Sequence, residues 1–311
     1  ETPPARLALS IPPRVGLKPL DLNLIRLDDW ELELTASPGA PLQVARVAPA
    51  PISNQLAAAG FSICPAQETH FGVAPVFHLP LLRLRYRVAF EVAYETPTWL
   101  LVEPGTLVGD WSLRVNDEGV FGPNALEPAP AGGRGCLGLE LTHLLRGGHN
   151  ELVIDCVTDR VDGGLREPLF LAGDFAVHRG PLPVLQPPLT HGQWEDYDAN
   201  GLPWYAGVIE YQTTLAIEVL PPGDEFLVDL ELPTVGGPGL TLSCNDSPWH
   251  AVPWRPQRLL LPRTELKVGN NNLRLRVHGD LLRAYESQRW NEAEHRIQPL
   301  PPPSPEAAET P

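Results

Sequence analysis

The densest set of side chains able to hold a small polar ligand is the run Asn245-Asp246-Ser247-Pro248-Trp249-His250-Ala251-Val252-Pro253-Trp254-Arg255. A sugar ring offers C–H faces that stack on flat aromatics, and hydroxyls that bond carboxamides, carboxylates, imidazoles and guanidiniums. Trp249, His250, Asn245, Asp246, Trp254 and Arg255 supply all of these groups, so this loop is the candidate carbohydrate site, with Trp249 as the exposed ring. A second aromatic cluster runs from His191 to Tyr197 and on to Trp204-Tyr205. Trp194, Trp204 and Tyr205 are its candidate interface residues, favoured over a ligand-binding role.

Bond-breaking chemistry finds less support. Glycoside hydrolysis needs two carboxylates at a set separation flanking one bond. The 38 acidic residues allow many pairings, and neither position nor neighbours single one out. Asp174, Asp28 and Asp29 read as turn acids beside strands. There is no Gly-x-Ser-x-Gly elbow, no cysteine beside a histidine, and no pair of histidines spaced to share a helix face. No catalytic residue and no metal ligand is assigned. The one cofactor considered is a structural calcium held by loop acids, with Asp110, Asp155, Asp159 and Asp162 as contributors. Cys64, Cys136, Cys156 and Cys244 lie far apart without a CxxC, and are expected to be buried free thiols.

The elements that must position these groups are short strands. With 37 prolines and 27 glycines between the apolar stretches, few windows have room for a helix of three turns. Leu281–Glu294 is the best candidate, carrying Tyr285 and Trp290, and Leu141–Arg146 is barely a turn. Period-two alternation marks Trp30-Glu31-Leu32-Glu33-Leu34, Leu82 to Val88 and Leu273 to Val277 as antiparallel strands with one buried face. Many such strands at short spacing mean an all-β sandwich or barrel.

Four blocks recur in the same order. Tyr86 to Val92 matches Tyr211 to Ile217, and Trp99 to Val102 matches Phe226 to Asp229. Leu113-Arg114-Val115-Asn116-Asp117 matches Leu242-Ser243-Cys244-Asn245-Asp246. A Gly-x-Asn-x-Leu turn opens the last strand at Gly148 and again at Gly269. Gly and Asn tolerate the left-handed backbone of such turns. The expected organisation is therefore tandem β-sandwiches. Residues 1–80 are an irregular segment whose strands join the first sandwich, and 81–180 are that module. A stiff proline-rich linker follows at 181–200, then a second module at 201–298 and a disordered tail at 299–311.

A net charge of -15 argues against non-specific nucleic-acid binding, which needs clustered Lys and Arg. No apolar run reaches the roughly 18 residues of a membrane span, so no membrane partner is expected. In a chain without Met that starts at Glu1, the residues before Glu1 are expected either to have been removed or to belong to another piece.

Residues 23–30 (Asn-Leu-Ile-Arg-Leu-Asp-Asp-Trp), 84–92, Val115-Asn116-Asp117, 167–177 and 201–211 together resemble the C-terminal region of alpha-L-rhamnosidase-type glycoside hydrolases. The second copy, with Asn245-Asp246, Trp254-Arg255-Pro256 and Gly269-x-Asn271-x-Leu273, resembles the galactose-binding-like jelly roll of beta-galactosidases and beta-glucuronidases. Where that module usually has Asn-Gly in its turn, both copies here have Asn-Asp. The resemblance implies two galactose-binding-like jelly-roll modules, Trp254 as a structural plug, and catalytic carboxylates on a separate barrel of the parent polypeptide. The expected function is a non-catalytic accessory region that scaffolds or assists substrate binding, with that catalytic domain and carbohydrate as partners. A free-standing lectin-like module and a purely structural interaction module are the rival readings.

Overall fold

The structure is a computed structural model that describes residues 4–36, 40–61, 79–233, 239–252, 256–279, 288–291 and 296–299. Among the described residues it is all-β apart from one short helix, Ile52–Ala58, and two single 3-10 turns. No helix among the described residues is long and apolar enough to cross a membrane. The chain divides into two units, one of Leu22–Pro188 and one joining Glu1–Asp21 to Leu189–Pro311.

In the Leu22–Pro188 unit, alternation builds the strands as expected. Trp30, Leu32 and Leu34 are fully buried while Glu31, Glu33 and Thr35 point outward. The larger sheet runs Glu118–Phe121, Asp110–Val115, Gly148–Thr158, Leu82–Val92, Val184–Gln186 and Ala176–His178, and Trp30–Thr35 also pairs with Leu82–Val92. A five-stranded sheet carries Glu127–Pro128, Leu137–Glu140, Thr98–Val102, Leu169–Gly173 and Asn23–Leu27. Trp30 meets Tyr86 edge-on at 6.4 Å between centroids. The Tyr86 hydroxyl donates to Gln55 Oε1 at 2.7 Å, so the short helix is tied to the core by a buried polar pair.

The other unit has a six-stranded sheet in the order His191–Gln193, Arg14–Pro19, Val208–Ile217, Gly269–His278, Gly239–Cys244 and His250–Val252. A three-stranded sheet orders Ala5–Ser10, Glu225–Glu231 and Arg258–Pro262. Tyr211, Ile209, Leu273 and Leu275 from the first sheet share one core with Phe226, Val228, Leu259 and Leu261 from the second.

Three sequence expectations are corrected. Residues 1–80 do not all join the first sandwich. Ala5–Ser10 lies parallel to Glu225–Glu231, and Arg14–Pro19 pairs with Val208–Ile217 and His191–Gln193, more than 170 positions downstream. Local alternation makes a strand but does not choose its distant neighbour. The stretch 181–200 is not a free linker. Val184–Gln186 pairs with Leu82–Val92, because proline lacks a donor yet its carbonyl still accepts, as Pro183 O does from Glu91 N at 2.9 Å. The expected helix over 281–294 is also replaced where it is described. Gln288–Asn291, with Trp290, is a strand paired with Arg296–Pro299. Tyr285 and residues 300–311 lie outside the described residues.

Candidate functional site

The Asn-Asp and Gly-x-Asn blocks form the same set of bonds in each unit. Asn245 (φ 50) and Asp246 (φ 64), like Asn116 (φ 52) and Asp117 (φ 61), occupy the left-handed region at the two centres of a tight turn. The Asn245 amide donates to Asn271 Oδ1 at 2.8 Å and to Glu265 O at 2.9 Å, while its carbonyl accepts from Asn272 N at 3.0 Å. Asn271, fully buried, accepts from Lys267 N at 2.9 Å and donates to Lys267 O and Gly269 O. In the other unit the Asn116 amide donates to Asn150 Oδ1 at 2.7 Å, and Asn150 donates to Arg146 O and Gly148 O. Each pair pins the turn that ends one strand to the turn that begins its neighbour. Asn245 therefore spends its side chain on the turn.

The remaining loop candidates divide. Nε2 of His250 sits 2.8 Å from Glu265 Oε2, held beside the 3-10 turn Arg263–Glu265. Trp249 is half-buried, with the Arg276 guanidinium 4.0 Å and the Arg274 guanidinium 5.3 Å from its ring centroid. Asp246, 86 % exposed at its side chain, pairs with Arg274 at 3.0 Å. Trp254 and Arg255 lie outside the described residues.

In the aromatic cluster, two of the three interface candidates are corrected. Trp194 and Tyr205 belong to the core of their own sandwich and offer no face to a neighbouring domain. Trp194 stacks at a tilt on Tyr211, 4.5 Å between centroids. The Tyr205 hydroxyl donates to Val208 O at 2.8 Å and accepts from Leu20 N and Asp21 N, and burial pushes its pKa up. Trp204 is half-buried.

What the loop borders is an open cleft of about 710 Å³ on the solvent face of the six-stranded sheet. Its floor follows from the strand register. His191 stands opposite Gly16, Gly16 opposite Gln212, and Gln212 opposite Arg274. Arg14, Thr214, Asn272 and Asp246 complete its polar lining. Thr214 donates to Asn272 Oδ1 at 3.0 Å, which leaves the Asn272 amide as a donor, and Gln212 donates to Glu210 Oε1 at 3.0 Å, which leaves its carbonyl as an acceptor. Gly16 has an ordinary backbone φ, so its missing side chain is not a turn requirement. An added Cβ would come within 3.2 Å of Gln212 O and 3.3 Å of its Cβ, so the glycine serves the close approach of the two strands. Burial raises the Glu210 carboxyl, but hydrogen bonds from Gln212 and Arg276 outweigh it and hold the group below the usual glutamate range.

Sequence reasoning located the rim of this cleft and missed its floor. The available signal was the outward phase of three alternating strands: Arg14, Gly16 and Lys18; Glu210, Gln212 and Thr214; Asn272, Arg274 and Arg276. Alone, each reads as a solvated face.

Of the aspartates considered for calcium, Asp155 lies between Arg85 at 2.6 Å and Arg114 at 3.0 Å, and Asp162 pairs with Arg160. Among the described residues no three His, Cys, Asp or Glu side chains gather as a metal site. Cys136, Cys156 and Cys244 are buried free thiols, and burial pushes the last up to about 12.

No family model matches the chain, and no curated protein matches it. Among solved structures it is similar to an FMN-binding beta-glucuronidase from Facaelibacterium prausnitzii L2-6, at 14% identity and TM-score 0.32, over 83% of this chain and 34% of that one. It is also similar to the exo-chitosanase CsxA of Amycolatopsis orientalis, at 10% identity and TM-score 0.34, over 83% and 29%. A beta-glucuronidase from Ruminococcus gnavus gives 10% identity and TM-score 0.33, over 88% and 41%. The chain thus spans well under half the length of each of these proteins.

Proposed function

We propose that this chain is a non-catalytic, carbohydrate-associated accessory region of a larger glycoside hydrolase. Its two sandwiches are read as sister galactose-binding-like modules that scaffold a catalytic domain, and the unit containing Val208–Ile217 also contacts glycan. The observation that carries the reading is the cleft on the solvent face of its six-stranded sheet, where Gln212, Thr214, Asn272 and Arg14 from three adjacent strands offer hydrogen-bonding groups to an open, shallow surface. Shallow sites with convergent polar groups suit sugar hydroxyls. The resemblance of residues 23–30, 84–92, 167–177 and 201–211 to rhamnosidase-type enzymes supports the parentage. Trp249, placed beside the cleft and held by two arginines, supplies the aromatic edge.

Glycan-array screening of the full chain, followed by calorimetry on each hit, tests the reading. Binding of at least one glycan, weakened by Thr214→Ala with Asn272→Ala, is the expected result. Silence across the array removes the glycan-contact role, and sustained turnover of aryl glycosides by the chain alone removes the non-catalytic assignment.

A further inference from the structure

The two solvent faces differ in one respect that bears on what the cleft accepts. In the Leu22–Pro188 unit, Glu31 and Glu33 stand opposite Arg87 and Arg85, and Tyr86 lies opposite Leu32. In the other unit, Gly16 and Lys18 stand opposite Gln212 and Glu210, and Tyr211 lies opposite Leu17. Aligning the ladders on Tyr86 and Tyr211 sets Glu31 against Gly16 and Glu33 against Lys18. On the far side, Val153 is set against Arg274, and Asp155 against Arg276. The first face is closed on itself, since Arg87 pairs with Glu33 while Arg85 and Arg114 share Asp155. On the second face Glu33, Glu31, Val153 and Asp155 give way to Lys18, Gly16, Arg274 and Arg276, while Arg85 and Arg87 give way to Glu210 and Gln212.

The result is a local excess of positive charge on a chain of net charge -15. Arg14 has no ion-pair partner among the described residues and lines the cleft at one side. Arg274 lines the other side, and its acid, Asp246, is almost wholly exposed, so solvent screens that pair. His191 stands at the outer end of the row, opposite Gly16, with Nδ1 3.1 Å from the Thr190 hydroxyl. Gly16 stands between His191 and Gln212 in this row, and the atoms that come close to it are the backbone oxygen and Cβ of Gln212. An arginine at each side, with neutral amides and a hydroxyl between them, matches a ligand with few charges and many hydroxyls. A dense polyanion fits poorly, because the remaining negative charge of the molecule repels it.

Resting on the glycan-contact reading above, we infer that the cleft formed by Arg14, Gly16, His191, Gln212, Asn272 and Arg274 binds an acidic saccharide, a sugar carrying a ring carboxylate. One ring carboxylate sits against Arg14 and a neighbouring ring's against Arg274, and the ring hydroxyls bond Gln212 and Asn272.

Isothermal titration of the full chain with digalacturonate and with its fully methyl-esterified form tests this at low and high sodium chloride. The acid should bind about tenfold or more tighter than the ester, an advantage that shrinks as salt screens the charges. Arg14→Gln should lose about tenfold in affinity for the acid and leave the ester unchanged. Arg274→Gln should act likewise. Should it unfold, the exposed and unpaired Arg14 keeps the test intact, and Arg83→Gln in the other unit serves as control. Equal binding of acid and ester, no loss with Arg14→Gln, or equally good competition by polyglutamate overturns the inference. If neither form binds while a neutral glycan does, the acidic specificity falls and the accessory reading stands. If no glycan binds at all, both fall.

Discussion

Replacing Asn271 by alanine removes four hydrogen bonds at a fully buried position: two accepted from Lys267 N and the Asn245 amide, and two donated to Lys267 O and Gly269 O. At about 1 kcal/mol net for each neutral bond, the sum is about 4 kcal/mol. Lys267 and Gly269 are exposed, so water recovers part of the loss at their backbone groups, and the Asn245 amide keeps Glu265 O. The expected destabilisation is therefore about 2–4 kcal/mol, a large share of the about 5–15 kcal/mol that holds a typical domain. Urea unfolding followed by tryptophan fluorescence reads it as a lower midpoint at unchanged slope. Asn150→Ala breaks the matching set of bonds in the other unit and should cost a similar amount. Asn271→Asp turns a carboxylate oxygen toward Lys267 O and Gly269 O in place of two donors, and should cost at least as much as alanine. A loss below about 1 kcal/mol for both alanine variants would mean that the paired asparagines do not pin the turns.

Asp117 sits at φ 61 with a nearly fully exposed side chain, so Asp117→Gly should relieve the left-handed strain and raise stability by about 0.5 kcal/mol. A fall in melting temperature would contradict it. Tyr86→Phe removes the bond to Gln55 and leaves a buried carboxamide oxygen short of a donor, at an expected cost of about 1–3 kcal/mol by chemical denaturation. Burial raises the Asp155 carboxyl, but bonds from Arg85 and Arg114 lower it further, to below its unfolded value. Its contribution is therefore fully present above the ordinary aspartate range and is lost as pH falls through the lowered folded value. Asp155→Asn should flatten the acid limb of the stability profile, and an unchanged limb would show that the pair is inert. In a Cys64→Ser chain, Cys136, Cys156 and Cys244 should resist a thiol reagent until unfolding, because burial raises all three thiols.

Much of this molecule was legible in one dimension. Period-two alternation at Trp30–Leu34, Leu82–Val88 and Leu273–Val277 falls inside the strands Trp30–Thr35, Leu82–Val92 and Gly269–His278, because each strand buries every second side chain wherever its partner comes from. The Asn-Asp and Gly-x-Asn turns were legible for a similar reason: left-handed backbone at consecutive positions restricts which residues fit. Tertiary structure decided what no local pattern encodes. It carried Arg14–Pro19 across to Val208–Ile217 and turned Trp194 and Tyr205 inward. It spent Asn245 on Asn271, and set Arg14, Gly16, Gln212 and Arg274 in one cleft. Those neighbours lie up to 260 positions apart, and their meeting depends on strand order and register, which follow from burying two sheet faces together.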